Sequence, residues 1–98
     1  MRIITNRRLV AFASRHPDAE APLRAWRKAM EAHTFSNYAS LQLQFSSVDK
    51  VGDLYVFNIG GNKYHLITYL HTSHQLAYIK QVLTHSEYDK GDWKHGSQ

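Results

Sequence analysis

Three apolar runs in the second half of the chain follow one another at hairpin spacing, and they constrain its fold more than anything else. "LYVFNI" (54–59), "KYHLITYLH" (63–71) and "LAYIKQVL" (76–83) are rich in β-branched and aromatic residues. "GGN" (60–62) separates the first two, and "TSHQ" (72–75) the last two. Both gaps have hairpin length, and Gly60, Gly61 or Asn62 can take the positive φ of a tight turn. Strands joined this way form an antiparallel meander. One of its faces must be covered, and the first half of the chain has to supply the cover.

That half reads as helices. Thr5 or Asn6 is placed to cap a helix carrying Leu9, Phe12 and Ala13 on one side. It ends by His16, because the residue before Pro17 is driven out of the helical region. Asp18 is placed to cap a second helix with the stripe Leu23, Trp26 and Met30, while Arg24, Arg27, Lys28 and Glu31 face elsewhere. Pro22 falls in its first turn, where no intrahelical donor is lost. In "FSNYASLQLQF" (35–45), Ser36 resembles an N-cap, and Tyr38, Leu41 and Phe45 suit a helix. Leu41, Leu43 and Phe45 also alternate as a strand would; the reading favours a short helix. The expected class is α+β. Two N-terminal helices pack on a small antiparallel sheet of three or four strands, a short helical turn follows, and residues 1–98 make one domain. Phe12, Trp26, Met30, Val56, Ile67 and Ile79 should be buried. The tail "KHGSQ" should fray.

Composition narrows the function. There is no cysteine, which excludes disulfides and thiolate metal sites. The start, "MRIITNRRLV", is broken by arginines and does not read as a signal peptide, and no apolar run has the length of a membrane span. A cytoplasmic protein without a membrane partner is expected. Net charge +4 and a pI near 9.5 favour an acidic partner. The charge is uneven: Arg2, Arg7, Arg8, Arg15, Arg24, Arg27 and Lys28 face only Asp18, Glu20 and Glu31 in the first third. The remainder balances lysines against acids and holds most of the histidines.

"THSEYDK" (84–90) concentrates chemistry directly after the last apolar run. Thr84 and Glu87 have capping-box spacing, so a helical turn should begin there. His85, Tyr88 and Asp89 then project from one side of it, and Lys80 lies on the strand leading in. Taken alone, these residues are explained at least as well by a hydrogen-bonded helix start. His65, His71 and His74 lack ligand spacing with a carboxylate, which argues against zinc. "NIGGNK" lacks the spacing of a phosphate-binding loop. No exposed aromatic pair on a strand, of the sort that stacks nucleobases, is evident.

The two halves of this pattern together resemble a known family. "VFNIGGNKYHLI" followed by "LAYIKQVLTHSEYDKGDW" is similar to the HigB toxins of bacterial type II toxin–antitoxin systems, in the RelE/ParE superfamily. The resemblance runs through Phe57, Asn58, Gly60, Gly61 and Asn62, then Tyr78 and Ile79, then Thr84, His85, Glu87, Tyr88 and Asp89. It departs where the family often carries arginine and this chain has His65, and in "LQLQF" (41–45), which lacks an expected lysine.

Such a resemblance implies an mRNA interferase, free or on the ribosome, needing no cofactor and no metal, and neutralised by a HigA-like helix-turn-helix antitoxin. His85, Tyr88 and Lys80 would be catalytic, with Asp89 orienting His85. Lys63, His65 and Asn62 would contact RNA, and Arg24, Arg27 and Lys28 would meet the antitoxin or ribosomal RNA. The ribose 2′-OH would attack the adjacent phosphate, and histidine suits the proton transfer because its ordinary pKa lies near neutrality. The alternative on the same fold is a non-catalytic ParE-like toxin that inhibits DNA gyrase.

Overall fold

The computed structural model describes residues 1–96. In chain order the elements are β1 (Arg2–Ile4), α1 (Arg7–Arg15), α2 (Glu20–Ala32), α3 (Tyr38–Gln44), β2 (Asp49–Val51), β3 (Leu54–Ile59), β4 (Tyr64–His71), β5 (Leu76–Thr84), α4 (His85–Lys90) and α5 (Trp93–Gly96). Among the described residues the strands form one five-stranded sheet in the order β1-β5-β4-β3-β2. The expected meander is its centre: Val56 lies opposite Ile67 across β3 and β4, and Tyr69 opposite Tyr78 across β4 and β5. Gly60 and Gly61 take φ of 63° and 71° in the first hairpin. In the second, Gln75 takes φ of 55° after a 3₁₀ turn at Thr72–His74.

The sheet is mixed rather than purely antiparallel. β1 lies parallel to β5, with Ile3 opposite Ala77, and β2 adds an antiparallel edge to β3. Each is three residues long, too short for a periodic pattern to declare itself. Parallel neighbours need a long crossover, and here everything between Ile4 and Leu76 serves as one.

Several helix starts differ from expectation. Asn6 stands at the N-cap of α1 without a side-chain bond, and Thr5 is left-handed at φ 71°. Asp18 does not cap α2: Pro17–Ala19 form a 3₁₀ turn first, and Ala19 takes the cap position. The Asp18 carboxylate is drawn to the β3–β4 hairpin instead. It pairs with Lys63 and accepts a hydrogen bond from the Tyr64 hydroxyl at 2.6 Å. Asn37, not Ser36, caps α3 and forms a capping box with Ser40. The helical reading of 38–44 is the right one, since Leu41 is fully buried while Leu43 is 91% exposed; a strand would have put both on one face.

Packing gives the sheet two different faces. Phe12 of α1 and Leu23, Trp26 and Met30 of α2 cover one of them, meeting Phe57, Ile59, Leu66, Leu70 and Ile79. Trp26 meets Phe57 edge-on at 5.3 Å, and Phe12 meets Tyr64 at 5.2 Å. Removing a buried ring such as Trp26 costs about 3–5 kcal/mol. The other face carries a smaller cluster of Val56, Ile67 and Trp93, flanked by Leu54, Leu83 and Tyr88. All six side chains expected to be buried are buried. Of the tail, α5 reaches Gly96 and the final two residues lie outside those described. Among the described residues no helix is long and apolar enough to cross a membrane.

Candidate active site

The second face of the sheet is where the chemistry collects. β5 ends at Thr84, whose side chain accepts from the Glu87 amide at 3.2 Å, while Glu87 accepts from the Thr84 amide at 2.9 Å. This capping box starts α4, and Gly91, left-handed at φ 76°, ends it. A further bond, from the His85 amide to the Lys63 carbonyl at 3.1 Å, stitches the start of α4 to the start of β4. His85 is thereby set above His65.

The two imidazoles meet directly. His65 Nε2 lies 2.9 Å from His85 Nδ1, and His85 Nε2 lies 3.2 Å from the Asp89 carboxylate. His65 is 3% exposed, beneath the Tyr88 ring, which stacks on it at 4.1 Å and 22°. Trp93 stacks on the far side of Tyr88 at 5.1 Å and donates its indole N–H to the Tyr88 carbonyl. His65, Tyr88 and Trp93 thus form one pile of rings.

Protonation follows from this geometry. Burial pushes the His65 pKa down, a positive His85 would push it further, and Asp89 opposes both. His65 is therefore neutral at pH 7. An ionised Asp89 favours a proton on His85 Nε2, which leaves His85 Nδ1 as acceptor and His65 Nε2 as donor. His65 Nδ1 is then an acceptor, buried and with no hydrogen-bond partner among the described residues. Nδ1 of His85 is accordingly committed inward, and Nε2, on a side chain 47% exposed, can meet a substrate once the Asp89 carboxylate, on a side chain 64% exposed, swings aside. Burial, with help from Asp49 and Asp89, raises the Tyr88 pKa and keeps the phenol protonated.

Of the residues singled out in the sequence, His85, His65, Tyr88 and Asp89 come together. Lys80 sits in a bulge, where Ile67 opposes Gln81 and Thr68 opposes Ile79. It borders the pile of rings through a groove shared with Trp93 rather than touching His85. Asn62 is exposed in the hairpin. Lys63 is turned to Asp18, which raises the Lys63 pKa, while hydrogen bonds from Lys63 and Tyr64 hold the Asp18 carboxyl low. His65, expected to contact RNA, is buried and turned to His85. Trp93, which the sequence reading does not single out, joins the cluster by packing on Tyr88. The left-handed glycine two positions earlier, which reverses the chain, is the signal that could have found it.

The family model of the HigB toxins, the RelE-like toxic component of a toxin–antitoxin system, matches residues 19–91. The chain belongs to the HigB toxin family. This toxin is 34% identical over 92 residues to the mRNA interferase toxin HigB of Escherichia coli (strain K12), covering 91% of this chain and 88% of the relative. The mRNA interferase HigB of Shigella flexneri matches to the same extent. An mRNA interferase HigB of Escherichia coli O6:H1 is 25% identical, with 92% and 90% covered. As the toxic component of such a system, the toxin has an antitoxin as its counterpart. The matched residues include the whole His65–His85–Asp89 chain; Trp93 lies just beyond them.

Proposed function

We propose that this toxin cleaves mRNA by attack of a ribose 2′-OH on the adjacent phosphate, with His85 moving the proton. The observation that carries the reading is the hydrogen-bonded chain from buried His65 through His85 to Asp89, with Nε2 of His85 outward beside Tyr88. A bond forms between the 2′-oxygen and phosphorus while the bond to the 5′-oxygen breaks. The products are a 2′,3′-cyclic phosphate and a 5′-hydroxyl. The 2′-hydroxyl gives up a proton and the leaving oxygen gains one, and neither transfer requires a metal.

Asp89 orients the His85 ring until substrate takes its place at Nε2, and His65 holds the ring from behind at Nδ1. Tyr88 stays protonated, so it can donate a hydrogen bond to the phosphate or stack on a base. Lys80 offers a permanent charge to the phosphorane. Asn62 and Lys63 serve RNA binding from the hairpin, Lys63 only when it leaves Asp18. The gyrase-inhibitor alternative is not favoured, because the relatives above are named mRNA interferases.

The partner in this reading is a HigA-like helix-turn-helix antitoxin. Arg24 and Arg27 are occupied by Glu20 and Glu31 on their own helix, so Lys28 is the cation of α2 best placed to meet it. The test is mRNA cleavage in a translating extract, with and without ribosomes, comparing the parent with His85→Ala. Loss of cleavage with an unchanged melting temperature is the expected result. Cleavage equal to the parent would reduce α4 to a structural turn.

A further inference from the structure

The site face of the sheet continues beyond Trp93. A groove of about 510 Å³ opens there, within the size range of pockets that take organic ligands. Tyr69, Lys80, Trp93 and Lys94 line it, with Leu54 and Asp53 at the β2–β3 turn. Tyr69 is one of few large apolar side chains left exposed, at 38%. It lies directly opposite Tyr78 on the neighbouring strand, with ring centres 6.2 Å apart. The extended sequence hid this pair, since the two tyrosines sit on different strands. Together they form the aromatic couple on a sheet that the linear pattern did not reveal.

Charge and position agree on what this surface would hold. Lys80 and Lys94 have no ion pair among the described residues, and Lys94 sits 5.7 Å from the Trp93 ring centre. Asp53 is the one carboxylate lining the groove, against two ammonium groups. His65 and Tyr69 point to the same face of β4, four residues apart, which is about 13 Å along a strand. A short oligonucleotide spans that distance. Aromatic faces beside fixed cations are what single-stranded nucleic acid needs: bases stack and phosphates pair.

We infer that the Tyr69–Tyr78 pair with Lys80 and Lys94 is a binding track for the single-stranded RNA that flanks the scissile phosphate. The inference rests on the cleavage reading above, and it assigns this groove to RNA rather than to an antitoxin segment. A flanking base stacks on Tyr69, its phosphates lie against the two lysines, and the strand passes Trp93 to reach His85.

The test measures binding apart from cleavage. In the full chain carrying His85→Ala, a fluorescently labelled single-stranded RNA is titrated and read by anisotropy, using a short oligonucleotide and a longer one. Adding Tyr69→Ala should weaken the longer RNA about tenfold and leave the short one unchanged. Tyr69→Phe, which keeps the ring, should restore binding, and Lys94→Ala should reduce the salt dependence of the longer RNA. Equal binding of the longer RNA with and without Tyr69, no saturable binding at all, or a Tyr69→Ala loss confined to antitoxin would each overturn the track. A parent that cleaves while Tyr69→Ala keeps its KM overturns the track alone. A parent that does not cleave, but binds RNA in a Tyr69-dependent way, overturns the cleavage reading and supports the track.

Discussion

Two histidine pairs occupy opposite ends of β4, and they show how little a short N–N distance says by itself. At one end His65 and His85 meet at 2.9 Å; at the other, His71 and His74 meet at 3.2 Å with Ser73 bridging. The second pair sits on a solvated 3₁₀ turn, where water competes for every bond and either ring can rotate away. The first pair is fixed from three sides. Tyr88 covers His65, Asp89 holds the outer nitrogen of His85, and the His85 amide is bonded to the Lys63 carbonyl. Burial and a carboxylate partner single out the first pair as the candidate for chemistry.

The sharpest way to break this contrast is to remove one ring from each pair. His85→Ala should lower mRNA cleavage by about a hundredfold or more, while His74→Ala cleaves like the parent in the same extract. Should both variants fall together, the two ends of β4 are not distinct. Replacing the buried ring comes next: His65→Phe keeps the stack under Tyr88 but removes the bond to His85. Its cleavage should drop about tenfold or more through loss of orientation, with antitoxin binding retained.

Acid sharpens the comparison further. Burial lowers the folded-state pKa of His65 below its ordinary 6.5, with a charged His85 adding to the effect and Asp89 opposing it. The unfolded chain therefore takes up this proton more readily. The stability contributed by neutral His65 is complete above about pH 6.5 and is lost as pH falls below that value toward the folded pKa. Thermal melts between pH 7.5 and 5 should show a loss that is smaller in His65→Phe and unchanged in His71→Phe. A smaller effect is expected at the cap. Thr84→Ala should cost about 1 kcal/mol, read as a lower melting temperature, with catalysis per folded molecule preserved. Smallest of all, the double change His71→Ala, His74→Ala should stay within about 0.5 kcal/mol of the parent.

What the sequence disclosed follows the same division between local and distant. The capping box at Thr84 and Glu87, the helical stripe of Leu23, Trp26 and Met30 and the meander all rest on residues a few positions apart. They were legible for that reason. Asp18 was misassigned because its real partner, Lys63, lies 45 positions away, and a nearby charged hairpin outcompeted the local helix end. His65 was readable as a departure from the family's arginine. Its burial was not, since that depends on α4 folding back over β4. Tyr69 and Tyr78 become neighbours only through the register of β4 and β5, and Lys80 is set apart from that register by the bulge beside it.

The strand order carries a consequence for how the toxin comes into being. β5 is the last strand to be synthesised, yet in space it lies between β1 and β4. Until it emerges, β1 has no strand to pair with and the sheet lacks its second row. His85, Tyr88 and Asp89 follow later still. Contacts between residues this far apart form late, because a long loop must close first. A growing chain can complete its helices and first hairpin, but it cannot assemble the imidazole pair. Vectorial synthesis thus delays the imidazole pair until the strand and helix that frame it have left the machine that makes them.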